Sequence, residues 1–297
     1  MTMPVFSRNT IFAGIAAFSL MIAGVFSPAA SHAAEALKIG ATPGENIELT
    51  RSRYELIAAY IEKETGIPTE LYLATDFTGV IEAMRAGKID IASFGPLSYV
   101  LAHQVAGAEA FAKEYREGDG ASYTGYIITR KDSGINTIQD LKGRSFAYVD
   151  PASTGGHLIP RKEMIKKGID PETDLRETVF LGSHDQVALG VFHKRVDAGA
   201  VVNINYEPFL DSKVIDGDEL QVIDKSDPFP GSAWAWRPDL PEETKAKVRD
   251  ALLSLRAENA PELKDFLRKV TKYDPADDAE WDSIRETVDL LHIDLTK

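Results

Sequence analysis

The sequence predicts an α/β protein of two lobes, and three observations carry that reading. Strand-like and helix-like segments alternate along the chain, the pattern restarts once near residue 130, and turn-rich breaks separate the runs. Strands alternating with helices imply βαβ units and a largely parallel sheet. At 297 residues, 44% hydrophobic and 27% charged, the chain can build ordinary cores and is not disordered.

The chain opens on a different kind of segment. Arg8 is the only ionised side chain before Glu35, and Ile11 to Phe26 form an apolar stretch. Pro28 and the small-residue run Ala29-Ala30-Ser31-His32-Ala33 follow. A basic start, an apolar core and an A-x-A-like site predict a cleavable secretory signal over residues 1–33, cut before Ala34. The apolar stretch is also shorter than the roughly 20 residues a membrane span needs. No later segment reaches 18 apolar residues, and the sequence has no cysteine. A lipid anchor, disulfides and thiolate chemistry are thereby excluded. The mature chain is expected to be exported, soluble and not anchored. With a net charge of −13 and no polybasic patch, nucleic acid is not an expected partner.

Leu37-Lys38-Ile39-Gly40 reads as a first strand, and Leu49, Leu56, Ile57, Tyr60 and Ile61 as a helix stopped by Gly66. Glu70 to Leu73 form a second strand. Val80, Ile81 and Met84 line a helix ended by Gly87, and Ile89-Asp90-Ile91-Ala92 is a third strand. The pattern then restarts, with strands at Tyr126 to Thr129, Phe146 to Val149, Thr178 to Leu181, Ala198 to Val202 and Trp234 to Trp236. A short helix over 138–143 falls within this run, and amphipathic helices around Lys245 to Arg256 and Trp281 to Leu291 close the chain. The expected organisation is a first lobe from residues 37–129 and 229–297 and a second from 130–228. Two crossover segments would act as a hinge. Ligands of such sheets sit beyond the carboxyl ends of the strands, where loops of both lobes meet.

Asp150-Pro151-Ala152-Ser153-Thr154-Gly155-Gly156-His157-Leu158 follows a hydrophobic strand and opens a helix. Free N–H groups and the positive dipole end at such a start make an anion site without Lys or Arg. A plain N-cap explains the Ser and Thr equally well. His184 falls at the carboxyl end of the strand Thr178 to Leu181, on the same edge, where it can donate a hydrogen bond to an oxyanion. An ordinary loop histidine is the plainer reading. The other histidines receive no role. Catalytic signatures are absent: no G-x-S-x-G, H-E-x-x-H, Walker or G-x-G-x-x-G motif occurs. Asp76 and Asp150 lie near strand ends, but nothing links them as an acid–base pair. No metal set and no cofactor are expected.

Several ordered stretches resemble the phosphonate/phosphite-type substrate-binding components of ABC importers, within the type II periplasmic binding proteins. They are Asp76 to Met84, Ile89 to Tyr99, Asp150 to Gly156, Gly182-Ser183-His184, Arg195 to Gly199 and Pro230 to Trp234. The resemblance implies two lobes closing over a small phosphorus oxyanion and a chain that is not an enzyme. It implies a periplasmic, monomeric protein that meets a membrane permease transiently. Ser153, Thr154 and the Gly155 backbone would hold the oxyanion, and His184 would donate from the same lobe. The other lobe would contribute Tyr123 and the position of Phe77, where relatives commonly carry tyrosine. Tyr99 would line the pocket. Gly155 replaces a serine of some members.

Relatives that bind aminoethylphosphonate look to place carboxylates where this chain has Asn203-Ile204-Asn205 and Ser232. An ammonium buried without a partner is costly. The expected ligand is therefore phosphite, methylphosphonate or phosphate, with Glu207 the nearby acid that would alter this. Sulfonate or sulfate binding, a sensory role for the same fold, and a secreted hydrolase of phosphorus esters are the alternatives.

Overall fold

The structure is a computed structural model, and it describes residues 35–293 except residue 257. The expected signal over 1–33 lies outside the described residues. Strand β1 (Leu37–Ala41), helix α1 (Ile47–Thr65), β2 (Thr69–Leu73), α2 (Phe77–Arg85), β3 (Ile91–Phe94) and α3 (Pro96–Ala106) come first. Local chemistry sets these limits. The Asn46 side chain accepts the Glu48 N–H at 2.9 Å to start α1. Gly66, at φ 69°, ends it in the left-handed conformation that glycine adopts at little cost, returning its N–H to Glu62 O at 2.8 Å.

After β4 (Glu109–Arg116) the chain crosses over through the two-residue strand β5 (Ser122–Tyr123). It then builds β6 (Gly125–Arg130), β7 (Ser145–Tyr148), α4 (Ile159–Lys166), β8 (Glu177–Phe180), α5 (His184–Phe192), β9 (Ala198–Val202), α6 (Asn203–Asp211) and β10 (Leu220–Lys225). It returns through β11 (Phe229–Pro230) to β12 (Ala233–Trp236), α7 (Glu242–Ser254), α8 (Lys264–Leu267), β13 (Val270–Pro275) and α9 (Asp282–Leu290). The two crossing segments pair with each other, Phe229 opposite Tyr123.

Two mixed sheets result, ordered β13-β4-β12-β3-β1-β2 and β10-β6-β9-β7-β8. Each has a parallel half: β1 runs with β2 and β3, and β7 with β8 and β9. The remaining pairings are antiparallel, made by β4, β12 and β13 in the first sheet and by β6 and β10 in the second. The sequence overstates the parallel character because β4, β10 and β13 carry charges at many positions and do not read as buried strands. One boundary also moves. The strand assigned to the first lobe at Tyr126 to Thr129 pairs with β9 and β10, so the crossover falls before Gly125 rather than after residue 129.

Apolar faces fix the layers. Ile57 and Ile61 of α1 and Val248 and Leu252 of α7 are buried against Phe111 and Trp236 on one face of the first sheet. Helices α2, α3 and α9 cover its other face through Val80, Ile81, Val100, Ile284 and Val288. In the second lobe, Met164 of α4 joins Ile138, Leu141 and Phe146 in a separate cluster. Apolar burial on this scale contributes roughly 25 cal/mol per Å² removed from water.

Candidate functional site

The parallel halves of both sheets aim their helix starts at one place. Phe77 and Pro96 are the first residues of α2 and α3, and His184 is the first of α5. Thr154 opens a π-type turn, Thr154–Leu158, that runs into α4. All four line one cavity of about 120 Å³, with Gly44, Gly155, Ile204, Asn205, Tyr123 and Ser232 among its other walls. That is far more than the roughly 10–15 Å³ one water needs, so a ligand of several heavy atoms fits. Converging helix starts give the cavity a positive potential from backbone alone.

The wall from the second lobe is built as an oxyanion cradle. Ser153 Oγ accepts the Gly156 N–H at 3.1 Å, and Thr154 Oγ1 accepts the Leu97 N–H of α3 at 2.7 Å. Both hydroxyls thus act as acceptors toward backbone and keep their own protons as donors. A Cβ at Gly156 would lie 2.4 Å from Val149 Cγ2, so only glycine lets this turn close. At Gly155 a Cβ would meet Val202 Cβ at 3.0 Å and Phe229 Cζ at 3.2 Å, which leaves little room for the serine of some relatives.

His184 completes this wall. Its Nδ1 accepts the Val202 N–H at 3.2 Å, which puts the ring proton on Nε2. Burial lowers its pKa to about 3, so the ring is neutral. Nε2–H is therefore its one donor. Three hydrogen bonds join the lobes around the cavity: Leu97 N–H to Thr154, Phe77 N–H to Asp150 Oδ2 at 3.4 Å, and His184 N–H to Gly44 O at 3.2 Å. Asp150 and Asp76 are both structural. Asp150 also accepts from Ala152 N–H at 2.8 Å, while Asp76 caps α2 through the Gly79 N–H at 2.7 Å.

Of the residues singled out in the sequence, Ser153, Thr154, Gly155, His184, Tyr123 and Phe77 all line the cavity. Tyr99 does not. It is fully buried under α9, its ring 4.6 Å from that of Trp281 and its hydroxyl donating to Asp278 Oδ1 at 2.6 Å. The helix that begins at Pro96 turns it away from the cavity, so the place that the family resemblance implied for it is not the one it takes. Tyr123 reaches the cavity with its hydroxyl engaged, 2.9 Å from both Glu114 Oε2 and Ser232 Oγ. Its single proton goes to the carboxylate, and burial raises its pKa.

The first lobe adds residues the sequence did not suggest. Glu45, Arg53, Glu114, Arg116 and Arg268 line the cavity, from the loop after β1, α1, β4 and the turn after α8. Glu45 holds both Arg53 and Arg268, the latter at 2.5 Å. Glu114 and Arg116 stand two apart on β4, 3.2 Å between charges. Ile204, Asn205 and Ser232 bring no acid to the cavity, as read from the sequence; its two acids, Glu45 and Glu114, come from elsewhere in the first lobe, and each already holds an arginine. Glu207 is not among the lining residues and binds Tyr126 and Lys269. Asn203, the first residue of α6, ties the second lobe to the first crossing segment, its Oδ1 accepting the Thr124 N–H at 3.0 Å.

Comparison with known proteins agrees with the geometry. Residues 39–281 match the family model described as ABC transporter, phosphonate, periplasmic substrate-binding protein. The phosphate-import protein PhnD of Mycolicibacterium smegmatis is 34% identical over 72% of this chain and 70% of its own length. The phosphonates-binding periplasmic protein of Escherichia coli is 32% identical over 82% of this chain and 74% of its own. A solved binding-protein component of a Pseudomonas aeruginosa ABC phosphonate transporter superimposes with TM-score 0.79 at 29% identity, covering 85% of both chains. Its likeness extends to the two-lobe type II architecture, and with the family match over 39–281 the chain belongs to the phosphonate-type periplasmic substrate-binding proteins of ABC transporters.

Proposed function

We propose that this chain is the periplasmic solute-binding component of an ABC importer that captures a small phosphorus oxyanion without an amine: phosphite, methylphosphonate or a related phosphonate. One observation carries the reading: Ser153, Thr154, the Gly155 backbone and the Nε2–H of His184 are neutral donors gathered on one wall of the interlobe cavity. Neutral donors at helix starts suit a small oxyanion because they satisfy its oxygens without a bulky counter-ion. An amine is disfavoured, since neither Glu45 nor Glu114 is without an arginine.

Hydrogen bonds to a charged acceptor contribute roughly 1.5–3 kcal/mol each. Five or six give on the order of 8–18 kcal/mol before association costs of about 4–15 kcal/mol. Submicromolar binding needs a little over about 8 kcal/mol net. The lobe-to-lobe hydrogen bonds supply the preorganisation that keeps the cost at the lower end.

The protein carries its ligand to a permease and does no chemistry on it. Among the described residues no histidine is hydrogen-bonded to Ser153 or Thr154, so neither hydroxyl has the adjacent base that a nucleophile needs. Calorimetry of the protein lacking residues 1–33 against phosphite, methylphosphonate, aminoethylphosphonate, phosphate and sulfate tests the reading. Tight binding of phosphite or methylphosphonate is expected. Aminoethylphosphonate binding as tightly as methylphosphonate would overturn the amine argument, and turnover of a chromogenic phosphoester would overturn the non-enzymatic one.

A further inference from the structure

Five ionised side chains line the cavity, and all come from the first lobe, opposite the neutral cradle: Glu45 and Glu114 against Arg53, Arg116 and Arg268. Two carboxylates do not balance three guanidiniums. Arg116 is 5% exposed, its Nη1 lies 3.2 Å from Glu114 Oε2, and its Nε has no hydrogen-bond partner among the described residues. Glu45 is divided between Arg53 and Arg268, one oxygen each. The other oxyanion wall holds no charge, so the excess positive charge is confined to one side of the cavity.

Two further features bear on this cluster. Arg268 sits at φ 51°, ψ −111°, a left-handed conformation that side chains rarely adopt and that costs about 1–3 kcal/mol. Such strain persists only where the surroundings hold it. Burial, followed by the like charge of Arg53, lowers the Arg268 pKa, whereas burial of Arg116 is outweighed by the Glu114 carboxylate and its pKa is raised.

We propose, resting on the reading of the cavity as a phosphonate site, that the first-lobe arginines form a second anion subsite and that the preferred ligand is a phosphonate whose organic arm ends in a carboxylate. The phosphonate head occupies the Ser153–His184 wall and the carboxylate lies against Arg116, whose Nε has no other partner among the described residues, and Arg268. Planar guanidiniums suit a carboxylate because they present paired donors to its two oxygens. Glu114 serves as a positioning residue, holding Arg116 in place alongside the Tyr123 hydroxyl.

The test is calorimetry of the protein lacking residues 1–33 with methylphosphonate, phosphonoacetate, 3-phosphonopropionate and aminoethylphosphonate. At least one carboxylated ligand should bind tenfold or more tighter than methylphosphonate. Arg116→Gln and Arg268→Gln should each weaken that ligand at least tenfold more than they weaken methylphosphonate. Methylphosphonate binding as tightly as both carboxylated ligands overturns the second subsite while leaving the phosphonate site intact, and needs no variant. Equal losses for both ligands in the arginine variants overturn it too, since the arginines would then hold the phosphonate head. If none of the phosphonates binds, the underlying reading of the cavity fails, and the subsite with it.

Discussion

Replacing His184 by alanine separates two roles that one ring performs. Nε2–H is the donor available to the ligand, and Nδ1 accepts the Val202 N–H at 3.2 Å. Losing one hydrogen bond to a charged acceptor costs roughly 1.5–3 kcal/mol, which is on the order of a 10- to 150-fold rise in Kd. The same change leaves the buried Val202 N–H without its acceptor, at a cost of about 1–3 kcal/mol in stability. His184→Ala should therefore lower both the affinity for methylphosphonate, read by calorimetry, and the urea midpoint. His184→Gln sharpens the test, because its amide keeps an N–H donor near the Nε2 position and should restore part of the affinity. A folded His184→Ala protein that binds methylphosphonate within twofold of the parent would refute the role assigned to Nε2.

Ser153→Ala removes a donor and the acceptor for the Gly156 N–H, and a Kd at least tenfold higher by calorimetry is expected. Gly156→Ala places a methyl 2.4 Å from Val149 Cγ2, and overpacking of this kind should cost roughly 1–3 kcal/mol in denaturant unfolding. Tyr99→Phe should leave ligand affinity within twofold while lowering stability by roughly 1–3 kcal/mol, because the hydroxyl's bond to Asp278 and its acceptance of the Ala110 N–H at 3.3 Å are both lost. The ligand-free protein should also lose stability in acid. Burial lowers His184 to about 3 and His157 to about 4, against about 6.5 unfolded, so the unfolded chain binds more protons below pH 6.5. Stability then falls as pH drops, by about 2 kcal/mol per histidine at pH 5, offset in part by Asp150, whose pKa is raised by burial. Urea midpoints at pH 7 and pH 5 read the sum.

The cradle was legible because it is local. Ser153, Thr154 and two glycines lie consecutively between a buried strand and a helix, and His184 follows the neighbouring strand in the same position. Parallel strands bring such turns to one edge, and the family resemblance, not strand order alone, joined them into one oxyanion wall. Tyr99 failed because which face of α3 it occupies depends on helical phase, set by where Pro96 starts the helix. The ionic wall was invisible for a different reason. Glu45 and Arg268 are 223 positions apart, and Arg116 lies on a strand whose charges disguised it. Charged residues scattered along a sequence ordinarily mark a solvated surface, and only tertiary folding shows that these are buried together.

The lobe boundary was misplaced by the same limitation. Tyr126 to Thr129 read correctly as a strand, but its partners, β9 and β10, lie 69 to 99 positions further on. Nothing in the strand itself states which sheet it joins. The pairing of β5 with β11 marks the crossover instead, and a two-residue ladder leaves almost no trace in hydrophobic periodicity.

The central claim is that the cavity selects a phosphorus oxyanion by its neutral cradle. The most direct measurement is competition calorimetry of methylphosphonate against sulfate and aminoethylphosphonate, with the parent protein and with Ser153→Ala. Methylphosphonate should bind at least tenfold tighter than either competitor, and Ser153→Ala should remove most of that affinity. Sulfate or aminoethylphosphonate binding as tightly, or a Ser153→Ala protein with unchanged affinity, would contradict it.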